Sequence, residues 1–378
     1  MKNIFIGKYK EKEVSLNSGA LFNNHVLMVG GSGCGKTVAA QNLMLQIAES
    51  GGTVYAIDSH GTLADDQIFP PLRERFAKCC ASYDVYSDGF PFDIFCPVEF
   101  SDASVESRED CASAIVEIIA KPFNFGSRQR ADLRCAIEHV MADESYRTEG
   151  IRSVDTALRR MSSERAASIR EKLHAIIRHN VFRAVDEKNF KGKIVVLRLG
   201  KFDLDSQIVL SEMFLSSIWR FGNADKYKFG QEITLFLDEC QNLPSGKGSM
   251  LATLLSEGRK FGISLLMATQ LLLESSFSAA QQRFTQAGVI MYFKPLDNRL
   301  SSTARLIDPA SKTDWTLVLR GLKVGEFVAT GEFLVDGQPY DCPLRISNHL
   351  GTQRIGNVEE YPPVEKYVNG VGPKPRNK

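Results

Sequence analysis

Apolar residues alternate at Ile4 and Ile6, and again at Val14 and Leu16, on either side of the charged stretch from Lys8 to Lys12. That period of two predicts a short β-hairpin within residues 1–22, leading into the core. Beyond it the pattern changes to continuous apolar runs ending in glycine or polar residues: 25–30, 53–57, 193–199, 233–237, 263–268 and 289–293. Most are followed by a helical spacing, as with Val38, Leu43, Leu45 and Ile47 after the first. Continuous rather than alternating strands predict a mainly parallel sheet covered on both faces, hence an α/β fold. Between Asp102 and Arg183 helical patterns dominate, over 105–120, 128–141, 153–161 and 164–179. This predicts an all-helical insertion, 101–183, dividing a core of 23–100 and 184–350. The tail, 351–378, holds Pro362, Pro363, Pro373 and Pro375 among glycines and cations, a composition expected of a poorly ordered end or an arm lying on a neighbour.

Composition narrows the chemistry only slightly. Across 378 residues the formal net charge is +1, so contact with nucleic acid requires a local patch or the lumen of an assembly. The eight cysteines lack C-x-x-C spacing and no secretory leader precedes them, which predicts a reduced, cytoplasmic protein. Six histidines without H-E-x-x-H spacing argue against a metal site built from them. No apolar run approaches the ~20 residues of a membrane span, so no membrane insertion is expected.

The chemistry is carried by a phosphate loop. Gly30-Gly31-Ser32-Gly33-Cys34-Gly35-Lys36-Thr37 is a complete G-x-x-x-x-G-K-[ST] match between a strand and a helix. Glycines let the backbone turn its amides inward, and the helix adds the positive end of its dipole. The cradle runs from Gly31 through Ser32, Gly33, Cys34, Gly35, Lys36 and Thr37 to Val38, with Lys36 reaching the β/γ-phosphates of ATP and Thr37 ligating Mg²⁺. Cys34 fills a variable position, although a thiol at a helix N-terminus can have a lowered pKa. The run Ile233 to Leu237 ends in Asp238-Glu239, where one acid can hold the Mg²⁺ shell and the other can polarise an attacking water.

Three further positions carry two readings each. Gln270 follows a strand and could read the γ-phosphate or simply start a turn. Arg259, beside Lys260, could complement a helix dipole or act as an arginine finger on a neighbouring subunit, with Arg283 and Arg305 as substitutes. Asp58, at the tip of the second strand, could approach the metal shell or close a turn.

Taken in order, residues 24–37, Ile57-Asp58-Ser59-His60-Gly61, Gly126-Ser127-Arg128-Gln129-Arg130, Leu237-Asp238-Glu239-Cys240-Gln241 and residues 257–270 resemble the HerA/FtsK family of motor ATPases, HerA branch, over about 23–332. The resemblance implies a RecA-like P-loop NTPase core, a homo-oligomeric ring of six, and ATP-driven movement along double-stranded DNA. It also implies phosphate and metal binding by Lys36 and Thr37, metal binding by Asp238, water activation by Glu239, sensing by Gln270, a trans-acting Arg259 and a supporting acid at Asp58. The 29 residues before Gly30 leave room for a remnant hairpin rather than the full β-barrel of that branch, and the membrane helices of conjugative coupling proteins are not expected. A nucleotide-gated scaffold that activates a nuclease or other effector, as in anti-phage relatives, is the alternative. A small-molecule kinase fits less well, because adjacent Asp-Glu and a glutamine suit water activation.

DNA contact has thin support in the residues. Residues 126–183 hold eleven arginines and one lysine against eight acids, and Lys247 lies in the glycine-bearing loop 245–248. Mixed charge of this kind is also what a solvated helical face looks like.

Overall fold

The computed structural model describes residues 4–16, 24–100, 102–143, 149–183, 185, 190–224, 233–270, 281–308, 313–340 and 342–348. The expected C-terminal tail lies outside them. In chain order the elements are β1 (Ile4–Tyr9), β2 (Lys12–Leu16), β3 (Val26–Val29), α1 (Lys36–Glu49), β4 (Thr53–Asp58), α2 (Arg73–Cys79), β5 (Cys80–Asp84), α3 (Val85–Asp88), α4 (Arg108–Ala120) and α5 (Ser127–Ala142). There follow α6 (Ile151–Arg160), α7 (Glu164–Lys172), α8 (His174–His179), β6 (Ile194–Arg198), α9 (Leu204–Ala224), β7 (Ile233–Leu237), α10 (Met250–Glu257) and β8 (Ile263–Thr269). The last are β9 (Val289–Phe293), α11 (Leu300–Ile307), α12 (Trp315–Arg320), β10 (Glu326–Gly331), β11 (Phe333–Val335), β12 (Gln338–Tyr340) and β13 (Leu344–Ser347).

Among the described residues all strands join one 13-stranded sheet in the order β12-β11-β2-β1-β13-β10-β9-β3-β8-β7-β4-β6-β5. From β9 to β5 every pairing is parallel, and these are the strands that the continuous apolar runs predict, with β5 added at the edge. From β9 outward through β10, β13, β1, β2, β11 and β12 every pairing is antiparallel. The expected hairpin is β1–β2, and it is built into this sheet through β13 and β11 rather than standing apart.

Each core strand buries both faces, which is why its sequence is apolar without alternation. Val26 and Met28 pack on α1 and α2, whereas Leu27 and Val29 face the cluster formed with α4 to α7, α9 and α10. The helical stretch expected over 164–179 is broken at Leu173 into α7 and α8. Serine side chains cap α4, α7 and α10, with Ser107, Ser163 and Ser249 accepting from Asp110, Ala166 and Ala252 amides.

Candidate active site

The parallel strands all point the same way, so the tips of β3, β8, β7 and β4 line one edge of the sheet in that order. The segments carrying Lys36, Asp58, Asp238 and Gln270 arrive there, whereas Gly126–Arg130 opens α5 in the helical stretch and the Gly258–Phe261 turn lies before β8. After β3 the chain bends through Gly33 (φ 72°) and Gly35 (φ 103°), both in the left-handed region, and enters α1. A side chain at Gly35 would also collide with the backbone, since its Cβ would lie 3.0 Å from Gly325 N. No side chain caps α1, unlike the serine-capped helices, so the amides at its start keep their capacity to bind an anion. Lys36 is buried and folds back over the loop, Nζ donating to Gly30 O at 2.8 Å and Gly31 O at 2.9 Å. Those carbonyls hold the ammonium beside the space that the loop encloses. Thr37, one residue on, is half-buried in the first turn.

Cys34 departs from the expectation of a lowered pKa. Burial pushes its thiol up, and this outweighs the nearby Lys36 charge, which pulls the other way. Its Sγ donates to Gly31 O at 2.9 Å, which makes it a filler of the loop.

Asp238 and Glu239 follow β7, two strands from the phosphate loop with β8 between. Desolvation first, and then the neighbouring Glu239 charge, raise the pKa of Asp238 above the ordinary carboxylate value, while Thr62 and the Lys36 charge oppose the shift. A carboxylate that is costly to ionise is suited to a cation, and Asp238 and the Thr37 hydroxyl are both oxygen donors of the kind Mg²⁺ prefers. Glu239 has a left-handed backbone, φ 46°, rare for a residue with a side chain and of the kind found at working sites. Gln241 Nε2 donates to its Oε2 and Gln270 Nε2 to its Oε1. Gln270 is exposed at the end of β8, so a glutamine expected beside the γ-phosphate lies directly against the acid expected to prime water.

Asp58 closes a turn. It is 2% exposed, Oδ1 accepting from His60 N at 3.3 Å and Thr62 N at 3.0 Å, and Oδ2 from Leu63 N at 3.1 Å. The loop it fixes presents Thr62, whose hydroxyl donates to Asp238 Oδ2 at 3.2 Å. Asp58 therefore supports Asp238 through an intermediary.

Arg259 is not brought to this edge. It precedes β8 and is exposed, whereas Gln270 follows that strand; seven residues at ~3.3 Å per residue separate the two ends by roughly 20 Å. Of the alternatives, Arg283 donates to Ser245 O at 3.4 Å, and Arg305 is exposed on α11. Lys247 is exposed between Gly246 and Gly248, in the loop leading from the acidic pair to α10. In the helical stretch Arg130 pairs with Glu117, Arg165 with Asp132, and both Arg159 and Arg170 with Asp155, so part of its positive charge is neutralised.

Residues that sequence reasoning missed are Thr62, Gln241 and Thr269, whose hydroxyl donates to Gln241 Oε1 at 2.6 Å. Thr62 and Asp238 are 176 positions apart, and only the pairing of β4 with β7 makes them neighbours.

No protein-family model and no curated protein sequence matches the chain. Solved structures do. VirB4 of Thermoanaerobacter pseudethanolicus superposes with a TM-score of 0.65 at 13% identity, over 93% of this chain and 97% of that one. The plasmid coupling protein TrwB, in complex with the ATP analogue ADPNP, gives 0.59 at 12% identity over 87% and 86%. TrwB with ADP and Mg²⁺ gives 0.58 at 12% over 87% and 85%. The chain shares their fold. It is the RecA-like P-loop NTPase fold expected from the sequence, and the sheet edge that carries Lys36, Asp238 and Glu239 is that fold's C-terminal edge. Among the described residues no helix is long and apolar enough to cross a membrane.

Proposed function

We propose that the protein is a ring-forming ATPase of the HerA/FtsK superfamily, HerA-like branch, that translocates double-stranded DNA without sequence preference. The observation that carries this reading is the convergence of an uncapped phosphate loop holding Lys36 with the Asp238-Glu239 pair at the same sheet edge. In this reading the amides from Gly31 to Val38 and Lys36 hold the triphosphate. Thr37 and Asp238 would hold Mg²⁺, which when bound neutralises charge developing on the phosphates. Glu239 takes a proton from the attacking water, and Gln270 contacts the γ-phosphate. Arg259, too far from its own site, acts on the nucleotide of the next subunit in a homo-oligomer, which we take to be a hexamer. The exposed Lys247 loop faces the lumen, where repetition around a ring multiplies a modest charge.

The test is Mg²⁺-dependent ATP hydrolysis with and without double-stranded DNA at low salt, alongside mass measurement of the assembly. Wild type should hydrolyse ATP and be stimulated severalfold by DNA, and Arg259→Ala should lose turnover while retaining ATP. Hydrolysis that DNA leaves unchanged would instead favour a nucleotide-gated scaffold for a nuclease or other effector.

A further inference from the structure

We infer that Gln241 is a positioning residue for the water-activating carboxylate, holding Glu239 to the strand beside the phosphate loop through Thr269. The inference rests on the ATPase reading and deepens it. Glu239 follows β7 by two residues in a left-handed backbone conformation, and the chain then makes a single 3-10 turn, Cys240–Asn242, closed by Asn242 N donating to Glu239 O at 2.9 Å. Cys240 is fully buried and anchors the turn. That geometry turns Gln241 back toward the acid two residues before it.

The amide of Gln241 is used at both ends. Its Nε2 donates to Glu239 Oε2, and its Oε1 accepts from Thr269 Oγ1 at 2.6 Å. A carboxylate only accepts and an amide nitrogen only donates, so these contacts fix the orientation of the group. Thr269 is itself 2% exposed and is the last residue of β8, and its carbonyl accepts from Gly30 N at 3.3 Å. A continuous chain of hydrogen bonds thus runs from the first residue of the phosphate loop through Thr269 and Gln241 to Glu239.

The two amides on Glu239 differ in what holds them. Gln270 is exposed and reaches Oε1 from the end of β8; Gln241 is tied to a buried hydroxyl. When Gln270 turns to a γ-phosphate, Oε1 becomes available to a water while Oε2 stays restrained. Glu239 then keeps its direction at the moment of proton transfer, where a misplacement of ~1 Å can cost on the order of a hundredfold in rate.

Steady-state hydrolysis and fluorescent-nucleotide binding, measured on the full chain for wild type, Glu239→Gln, Gln241→Leu, Thr269→Val, Thr269→Ser and the double variant Gln241→Leu/Thr269→Val, test this. The expected result is a kcat about 10- to 50-fold lower in Gln241→Leu and Thr269→Val, with KM and nucleotide affinity within twofold of wild type. The double variant should be no slower than the slower single variant, because both remove one chain of bonds. Thr269→Ser, which keeps the hydroxyl, should retain kcat and serves if the leucine variant fails to fold. Wild-type kcat in Gln241→Leu, multiplicative losses in the double variant, or equal losses in Thr269→Ser and Thr269→Val overturn the inference alone. A wild type that hydrolyses no ATP overturns the ATPase reading and this inference with it.

Discussion

Asp58 and Asp238 stand at the tips of paired neighbouring strands, each closing an apolar run, yet the fold gives them opposite surroundings. Three backbone amides converge on Asp58, so both its oxygens hold the loop to Leu63. Asp238 accepts from Thr62 and from the Glu239 amide, lies beside a second carboxylate, and has its pKa raised by burial. One acid is stabilised by the chain and shapes it; the other is left in electrostatic debt to whatever cation arrives. An acid after an apolar strand is therefore not a site until the donors around it are counted.

Substitution separates the two. Lys36→Ala should abolish nucleotide retention and hydrolysis altogether, measured by fluorescent-nucleotide binding and phosphate release, and it sets the floor for the rest. Asp238→Asn should lower Mg²⁺-dependent hydrolysis by at least about a hundredfold, with a melting temperature equal to or above wild type, because a carboxylate that resists ionisation has been removed. The converse is expected of Asp58→Asn: a loss of about 2 kcal/mol in denaturant unfolding as amides lose their charged acceptor, and a much smaller direct effect on turnover in the folded fraction. If Asp58→Asn instead matched Asp238→Asn in activity at unchanged stability, the contrast would be wrong. Thr62→Val joins the two and should cost less stability than Asp58→Asn, about 1 kcal/mol, and less turnover than Asp238→Asn, severalfold in kcat.

The smallest expected effect is in pH. Because the folded pKa of Asp238 is raised, the native state holds its proton more tightly than the unfolded chain does. The ionised group therefore lowers stability as pH rises through that window, and the proton competes with Mg²⁺ as pH falls. Mg²⁺-nucleotide affinity should weaken on acidification in wild type, and calorimetric titrations should find a flatter dependence in Asp238→Asn.

What was legible in the sequence followed from local pattern. The strands β3, β4 and β6 to β9 of the parallel half announce themselves because burial on both faces removes polar residues, and the phosphate loop and acidic pair are contiguous motifs. β5 escaped because, as an edge strand with no fully buried residue, Cys80–Asp84 carries no apolar run. The antiparallel strands after Lys323 are short, and β12 is wholly exposed. Thr62, Gln241 and Thr269 were invisible as participants since their partners are set by strand order, not spacing. For Gln270, position at a strand tip was readable, but its contact with Glu239 was not. Arg259 was readable as a cation at the end of a helix, and its remoteness from Lys36 follows only once the direction of β8 is known.

The seam between β1 and β13 pairs Lys8 with Ser347, and β2 meets β11 through Val14 and Val335. During synthesis the strand holding Lys8 must therefore wait for the one holding Ser347 before that half of the sheet can close, and so long a sequence separation slows folding. Until β13 has left the ribosome, the β1–β2 hairpin travels with an open edge. A nascent chain interrupted upstream of Leu344 would carry the whole phosphate loop yet leave β1 without its β13 neighbour.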